Sequence, residues 1–349
     1  MKSIFIKENK IFFLFITLLI FFGSFLRIYN INFEDLWADE MFSFWISDPS
    51  ISLNETFFRA FSSGLNFFFD LLLKFFHQIF GYDVYISRYF SYIISVISLF
   101  IFSFLLFKIT SQKSVIFGLF ILCINLYHLK YSLELRSYIL TFLFTIIFIL
   151  LNFRNKDCFK KFNFYRYFSN IIVVFIMYCN HAFTLLIVAS FLFYKLLYFI
   201  KEKKINFYDL VLSISLIVIT ILFLIFYYQT NLKFIDPQTL NGLSPYWLTL
   251  PKPSFYTNFY FSEFFGSRIL GTIHLFILLF CIFKFRNQLF YELNIYSFFV
   301  ILIFLSYFIP IVYGYLFGPV LLGRFLIFLL VPIICLIAHF TLLIKNKFL

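Results

Sequence analysis

Charged residues are scarce in this sequence: they make up 13% of 349 residues, against 63% hydrophobic, and the mean hydropathy is +0.96. A soluble globule has no way to hide that much apolar surface, so a water-soluble domain is excluded and the chain reads as a polytopic membrane protein. The five cysteines (Cys123, Cys158, Cys179, Cys281 and Cys335) lack C-x-x-C spacing and four lie in apolar segments, which implies neither a disulfide framework nor a zinc site. Histidine is equally thin: His128, His181 and His274 fall on different segments and H-E-x-x-H is missing, so no metal constellation stands out. The net charge of +12 would suit nucleic acid only on the basic face of a soluble module, and no such module is present. No A-x-A site follows the first apolar run, Ile11 to Leu26, so that run, behind Lys2, Lys7 and Lys10, reads as an anchor rather than a cleaved signal peptide.

What is present is a series of apolar runs. After the first, spans are expected near 88–107, 114–130, 135–153, 169–180, 182–199, 207–228, 267–284, 293–313 and 323–343, about ten transmembrane helices in an all-α architecture that occupies 1–349 as a single domain. The stretch 169–199 is too long for one untilted helix. Basic residues flank it on both sides, Arg154 to Arg166 before and Lys201, Lys203 and Lys204 after. Cytoplasmic loops collect Lys and Arg, so the run must turn back near Asn180-His181. The same rule places both termini in the cytoplasm and gives the inner side the whole excess of positive charge.

Two long outer loops remain, 29–86 and 229–266. In the first, Ser52-Leu53-Asn54-Glu55 has the form of a capping box, opening a short helix over Thr56 to Ser63 that ends at Gly64. Asn66 to Phe80, apolar apart from Asp70, Lys74, His77 and Gln78, is expected to lie in the interface plane and to stop at Gly81. The second loop, with Pro237, Pro245, Pro251 and Pro253, cannot be one long helix and suits the headgroup layer or a lid. Near the start of the first loop stand Asp39 and Glu40, between Trp37 and Trp45. A carboxylate beside hydrocarbon is costly unless paired or used, which marks a functional position. The alternative is that the two only cap the helix after them at its positive end.

Taken in order, several short motifs resemble the polytopic GT-C glycosyltransferases, in particular the bacterial relatives of protein O-mannosyltransferases and of the aminoarabinose transferase that modifies lipid A. They are Leu36-Trp37-Ala38-Asp39-Glu40 after a single span, Leu71-Leu72-Leu73-Lys74, then Phe80-Gly81 with Ser87-Arg88-Tyr89-Phe90-Ser91. Tyr131-Ser132-Leu133-Glu134-Leu135-Arg136-Ser137-Tyr138, Asn180-His181-Ala182-Phe183 and Gly323-Arg324-Phe325 with Pro332 follow. Where the family carries His-Pro-Pro or Lys-Pro-Pro, this chain reads Gly64-Leu65-Asn66. The resemblance implies a GT-C-like fold in a bacterial inner membrane. It also implies transfer of a sugar from a polyprenyl-phosphate donor to a hydroxyl or amine of a glycan, lipid or protein acceptor, on the outer, periplasmic face.

The roles implied are few. A phosphate leaving group is already anionic and needs little protonation, so one base suffices for the acceptor. Asp39 takes that role, and Glu40 orients the acceptor or supports the loop. Arg136 and Arg324 meet the phosphate, with Lys74 and Arg88 behind them. Glu134, Tyr138 and His181 complete the expected substrate-binding set. Simpler readings stand beside these: Glu134 and Arg136 pairing across their turn, Arg324 snorkelling to headgroups, His181 serving only the turn. No cofactor is implied, and a divalent ion at Asp39 is left open. Three other classes compete. A polysaccharide polymerase or ligase places its large outer loop late in the chain. A transporter calls for pseudo-symmetric halves and helices broken at the midplane, whereas the 10 glycines and 8 prolines fall mostly in loops or near span ends. A non-catalytic protein could share the shape alone.

Overall fold

The computed structural model describes residues 2–29, 31–62, 67–153, 163–203, 206–234, 263–291 and 293–345, and these are helical nearly throughout, with no strand among them. Most of the second expected loop, 229–266, and the expected stop at Gly64 lie outside the described residues. The first span is α1 (Lys2–Ile28). The first loop forms α2 (Ala38–Ile46), α3 (Leu53–Ser62) and α4 (Phe67–Phe80). Then come α5 (Val84–Ile109), α6 (Gln112–Ile124), α7 (Leu126–Leu133), α8 (Tyr138–Asn152), α9 (Phe164–Asn180), α10 (Thr184–Glu202) and α11 (Phe207–Phe234). The chain continues through α12 (Arg268–Lys284), the short α13 (Arg286–Phe290), α14 (Ile295–Leu316), a 3-10 segment (Gly323–Leu329) and α15 (Leu330–Lys345).

Each of the expected spans is helical, but they differ in reach. Among the described residues six are long and apolar enough to cross a membrane unaided, and α6 with α7 makes a seventh, broken by a 55° bend. The helices α8, α9 and α12 have 15, 17 and 17 residues. At about 1.5 Å per residue α8 falls short of a hydrocarbon core about 30 Å thick. It lies almost wholly inside protein, where a short helix meets neighbours rather than lipid. The expected reversal occurs where charge placed it: α9 ends at Asn180, and the Thr184 hydroxyl donates to the His181 carbonyl at 2.7 Å to start α10. The end of the chain is the centre of the bundle. Of the window Gly323–Thr341, 78% is buried, against 22% for the first span and 17% for Phe207–Thr230. The outward faces of the latter two carry Phe21, Phe25, Leu222 and Ile225, as suits lipid contact.

The helix α4 turns its charged side inward. Asp70, Lys74 and His77 are buried toward α2, α3, α5 and α9, while Phe75, Ile79 and Phe80 are exposed. In place of a charged stripe facing headgroups, the helix presents rings outward and uses its polar side chains to hold the loop. It ends as expected at Gly81, whose φ of +104° suits a residue without a Cβ.

Arg27, directly after the first apolar run, is held inside the protein. It is fully buried, and its guanidinium donates to Gly23 O (2.7 Å), Leu122 O (3.1 Å) and Cys123 O (3.2 Å) and contacts His128 Nδ1 (2.9 Å). The reason is the break after α6. A helix that stops inside the bundle leaves its last carbonyls without partners, and a cation there satisfies both the carbonyls and the helix dipole. Asn125 restarts the helix, its side chain accepting from His128 N at 2.9 Å. At the opposite end of the bundle, Lys195 and Asp209 pair at 2.8 Å between α10 and α11. Replacing Arg27 by Leu is expected to destabilise the protein by roughly 2–5 kcal/mol, since buried carbonyls lose their donors. Thermal unfolding in detergent measures this, and Arg27→Lys should recover part of the loss.

Candidate active site beside the first loop

Both carboxylates fall in the first turn of α2, and the structure separates their roles. Glu40 is buried, with both oxygens occupied: Oε1 accepts from Leu135 N at 2.7 Å, and Oε2 from Trp37 N at 3.1 Å and Arg88 Nη2 at 3.2 Å. The capping alternative therefore describes Glu40, which closes the helix start back onto Trp37. Arg88, expected behind a substrate phosphate, is instead occupied by the loop. Besides Glu40 it donates to the carbonyls of Ile31 (3.2 Å), Glu34 and Asp35 (3.0 Å). Lys74 is engaged in the same way: buried in α4, it donates to the carbonyls of Asp48 and Ile51 (2.8 Å) and fixes the turn before α3.

Asp39 has a different partner. Its Oδ2 lies 3.1 Å from Arg324 Nη2, with 30% and 22% of the two side chains exposed. Arg324 reaches this point because its backbone is held on both sides. The Tyr127 hydroxyl donates to the Gly323 carbonyl, and the Phe325 ring packs against His181 and Phe183, each at 5.0 Å. The guanidinium also lies over the Trp37 ring at 5.1 Å, a cation–π contact that keeps it at the loop rather than free in the headgroups.

Arg136 supports the same turn from below. It donates to the Asp39 carbonyl (3.1 Å) and to Ser43 Oγ (3.2 Å), and it hydrogen-bonds Tyr138. It forms no ion pair with Glu134 among the described residues. The Tyr138 and His181 rings lie behind it, tilted by 59° with centroids 5.9 Å apart. Burial, and then the charges of Arg136 and Arg324, push the His181 imidazole down to about 3, so it is neutral at physiological pH. Its Nδ1 accepts from Phe183 N at 3.2 Å, which makes it a turn residue. Beneath Ser43 lies Asp70, whose carboxyl burial pushes up to about 7, against the pull of Arg136 and the Ser43 hydrogen bond.

A cavity of about 620 Å³ opens beside this cluster, lined by Trp37, Glu40, Arg88 and Arg324 on the loop side and by Lys130, Tyr131 and Glu134 from α7 and the turn after it. Glu34 and Asp35 also line it. Burial raises the Glu134 carboxyl to about 7, with Lys130 the strongest charge opposing the shift. In the sequence Lys130 ends the expected span 114–130, which hides it among the flanking residues. The signal was Asn125: an N-capping residue inside an apolar run marks a new helix start, and a new helix re-aims everything after it. Among the described residues no group of three or more His, Cys, Asp or Glu is placed to hold a metal ion.

No protein-family model and no curated protein matches the chain. Solved structures share its fold, among them two oligosaccharyltransferases. One is the archaeal oligosaccharyltransferase AglB from Archaeoglobus fulgidus in complex with an inhibitory peptide and a dolichol-phosphate. Its TM-score is 0.57 at 10% identity, covering 97% of this chain and 51% of that one. The other is the Archaeoglobus fulgidus oligosaccharyltransferase tethered by a disulfide to an acceptor peptide containing the NVT sequon, with a TM-score of 0.52 at 11% identity and coverage of 96% and 50%. The chain thus spans about half the length of these structures. It has an all-α polytopic membrane fold of GT-C-like type.

Asp70 gives a test of the cluster. Its carboxyl holds a proton in the folded chain at pH values where the unfolded chain has released it, so stability falls as pH rises from about 4 through 7. Asp70→Asn is therefore expected to raise the unfolding temperature above pH 7, by an equivalent of roughly 3–4 kcal/mol. The difference should fade toward pH 4 in a pH series of melting curves.

Proposed function

We propose that this protein is a membrane glycosyltransferase that moves a sugar from a polyprenyl-phosphate-linked donor to a hydroxyl or amine of a glycan, lipid or protein acceptor. The observation that carries the reading is Asp39, a half-exposed carboxylate beside a polar cavity at the first loop, paired only through its side chain to a cation that lines that cavity. The GT-C-like fold supports it, as do the dolichol-phosphate and peptides bound by the two oligosaccharyltransferases. The excess of Lys and Arg in the other set of loops supports an outer-face site with both termini cytoplasmic, in a bacterial inner membrane.

In this reading the acceptor oxygen or nitrogen attacks the anomeric carbon, and its proton passes to the Asp39 carboxylate. The bond from that carbon to the phosphate oxygen breaks, and the electron pair leaves with the lipid phosphate. The oxygens of Glu40 are taken, so it holds the loop that carries the base, and Arg136 fixes the backbone of Asp39 itself. Tyr138 and His181 position Arg136 and Arg324, and Glu134 meets the substrate from the opposite turn. The reaction needs no cofactor on this account. Asp39→Asn keeps the shape and removes the base; it is expected to lower transfer of labelled sugar in membranes by about 10²–10⁴-fold, with insertion unchanged. An Asn variant of full activity overturns the assignment.

A further inference from the structure

The cations near the first loop are not equivalent. Arg27, Lys74, Arg88 and Arg136 are each held by named carbonyls or side chains inside the protein. Two cations face the cavity differently. Lys130 is exposed; it lies over the Tyr131 ring at 5.6 Å and near enough to Glu134 to act on its carboxyl, with no hydrogen bond or ion pair among the described residues. Arg324 gives one nitrogen to Asp39, is 22% exposed, and has no backbone carbonyl partner among the described residues. The pair with Asp39 is partly solvated on both sides, the kind of ion pair that contributes little and exchanges easily.

We infer that Lys130 and Arg324 form the seat of the lipid phosphate, and that Arg324 is shared between that phosphate and Asp39, so that phosphate arrival releases the base. The inference deepens the glycosyltransferase reading and rests on it for the identity of the ligand. A donor phosphodiester carries one negative charge, and the departing monoester carries up to two. A seat of two cations therefore binds the leaving group more tightly than the donor, which is the sense that accelerates transfer. Without ligand, Arg324 holds one oxygen of the Asp39 carboxylate. Once the guanidinium turns to the phosphate, that oxygen is free to meet the incoming acceptor. Donor then precedes acceptor. Glu34 and Asp35, which line the same cavity, are left to accept hydrogen bonds from sugar hydroxyls.

The test uses the full chain in phosphatidylethanolamine–phosphatidylglycerol nanodiscs and a short-chain polyprenyl monophosphate as probe, with the corresponding polyprenol and inorganic phosphate as separate arms. Lys130→Gln is expected to weaken binding of the lipid phosphate about 10- to 100-fold, the loss of one charge-assisted contact, and to leave polyprenol binding and the melting curve unchanged. Asp39→Asn is expected to tighten the same binding by about two- to fivefold, since Arg324 is no longer shared. Inorganic phosphate should displace the probe in the parent and less well in Lys130→Gln. Equal affinity in Lys130→Gln, or weaker binding in Asp39→Asn, overturns the seat. If these binding changes appear but no polyprenyl-phosphate sugar supports transfer, the seat stands and the transferase reading falls. If transfer proceeds with Lys130 silent, the reverse holds.

Discussion

The clamp between Arg88 and the first loop is the contact on which the rest of the site depends. One guanidinium on α5 gathers three loop carbonyls, of Ile31, Glu34 and Asp35, and the Glu40 carboxylate. A buried arginine needs acceptors for its donors, and the contacts of its two terminal nitrogens, Nη1 with Ile31 and Glu34 and Nη2 with Asp35 and Glu40, fix the path of residues 31–40. With the path fixed, Glu40 must point inward, and Asp39, one residue earlier on the same helical turn, must point elsewhere. The chemistry proposed for Asp39 follows from its neighbour being fully engaged.

The same logic runs through the bundle. Hydrocarbon offers no hydrogen bonds, so every interruption of a helix must be answered by a side chain. Arg27 answers the end of α6, Asn125 the start of α7, and Thr184 the reversal after His181. These side chains are structural, and by occupying most of the cations on this side of the molecule they define which remain. A count of arginines and lysines near the site overstates the charge available to a ligand, because only those without carbonyl partners can respond to one.

The fold was largely legible in the sequence, since apolar length and flanking charge report directly on helices. The spans, the reversal at Asn180-His181 and the stop at Gly81 all emerged where periodicity and basic flanks placed them. The motif residues Asp39, Glu40, Arg136, Tyr138, His181 and Arg324 also come together in space, although they lie up to about 285 positions apart. What could not be read was the partner of each charge. Lys74 and Arg88 looked like ligands for phosphate because sequence shows a cation and not the carbonyls folded around it. The inward polarity of α4 was hidden for a related reason: an amphipathic stripe has the same spacing whether its polar side meets water or a neighbouring loop.

The bend between α6 and α7 ties the cavity to the first span. Lys130 and Glu134 line the cavity because of that elbow, which Arg27 holds from α1 while the Asn125 amide ties it to the Phe264 carbonyl at 2.7 Å. The first span, with 22% of its window buried, is thereby joined to the cavity wall. A shift of α1 is therefore also a shift of that wall.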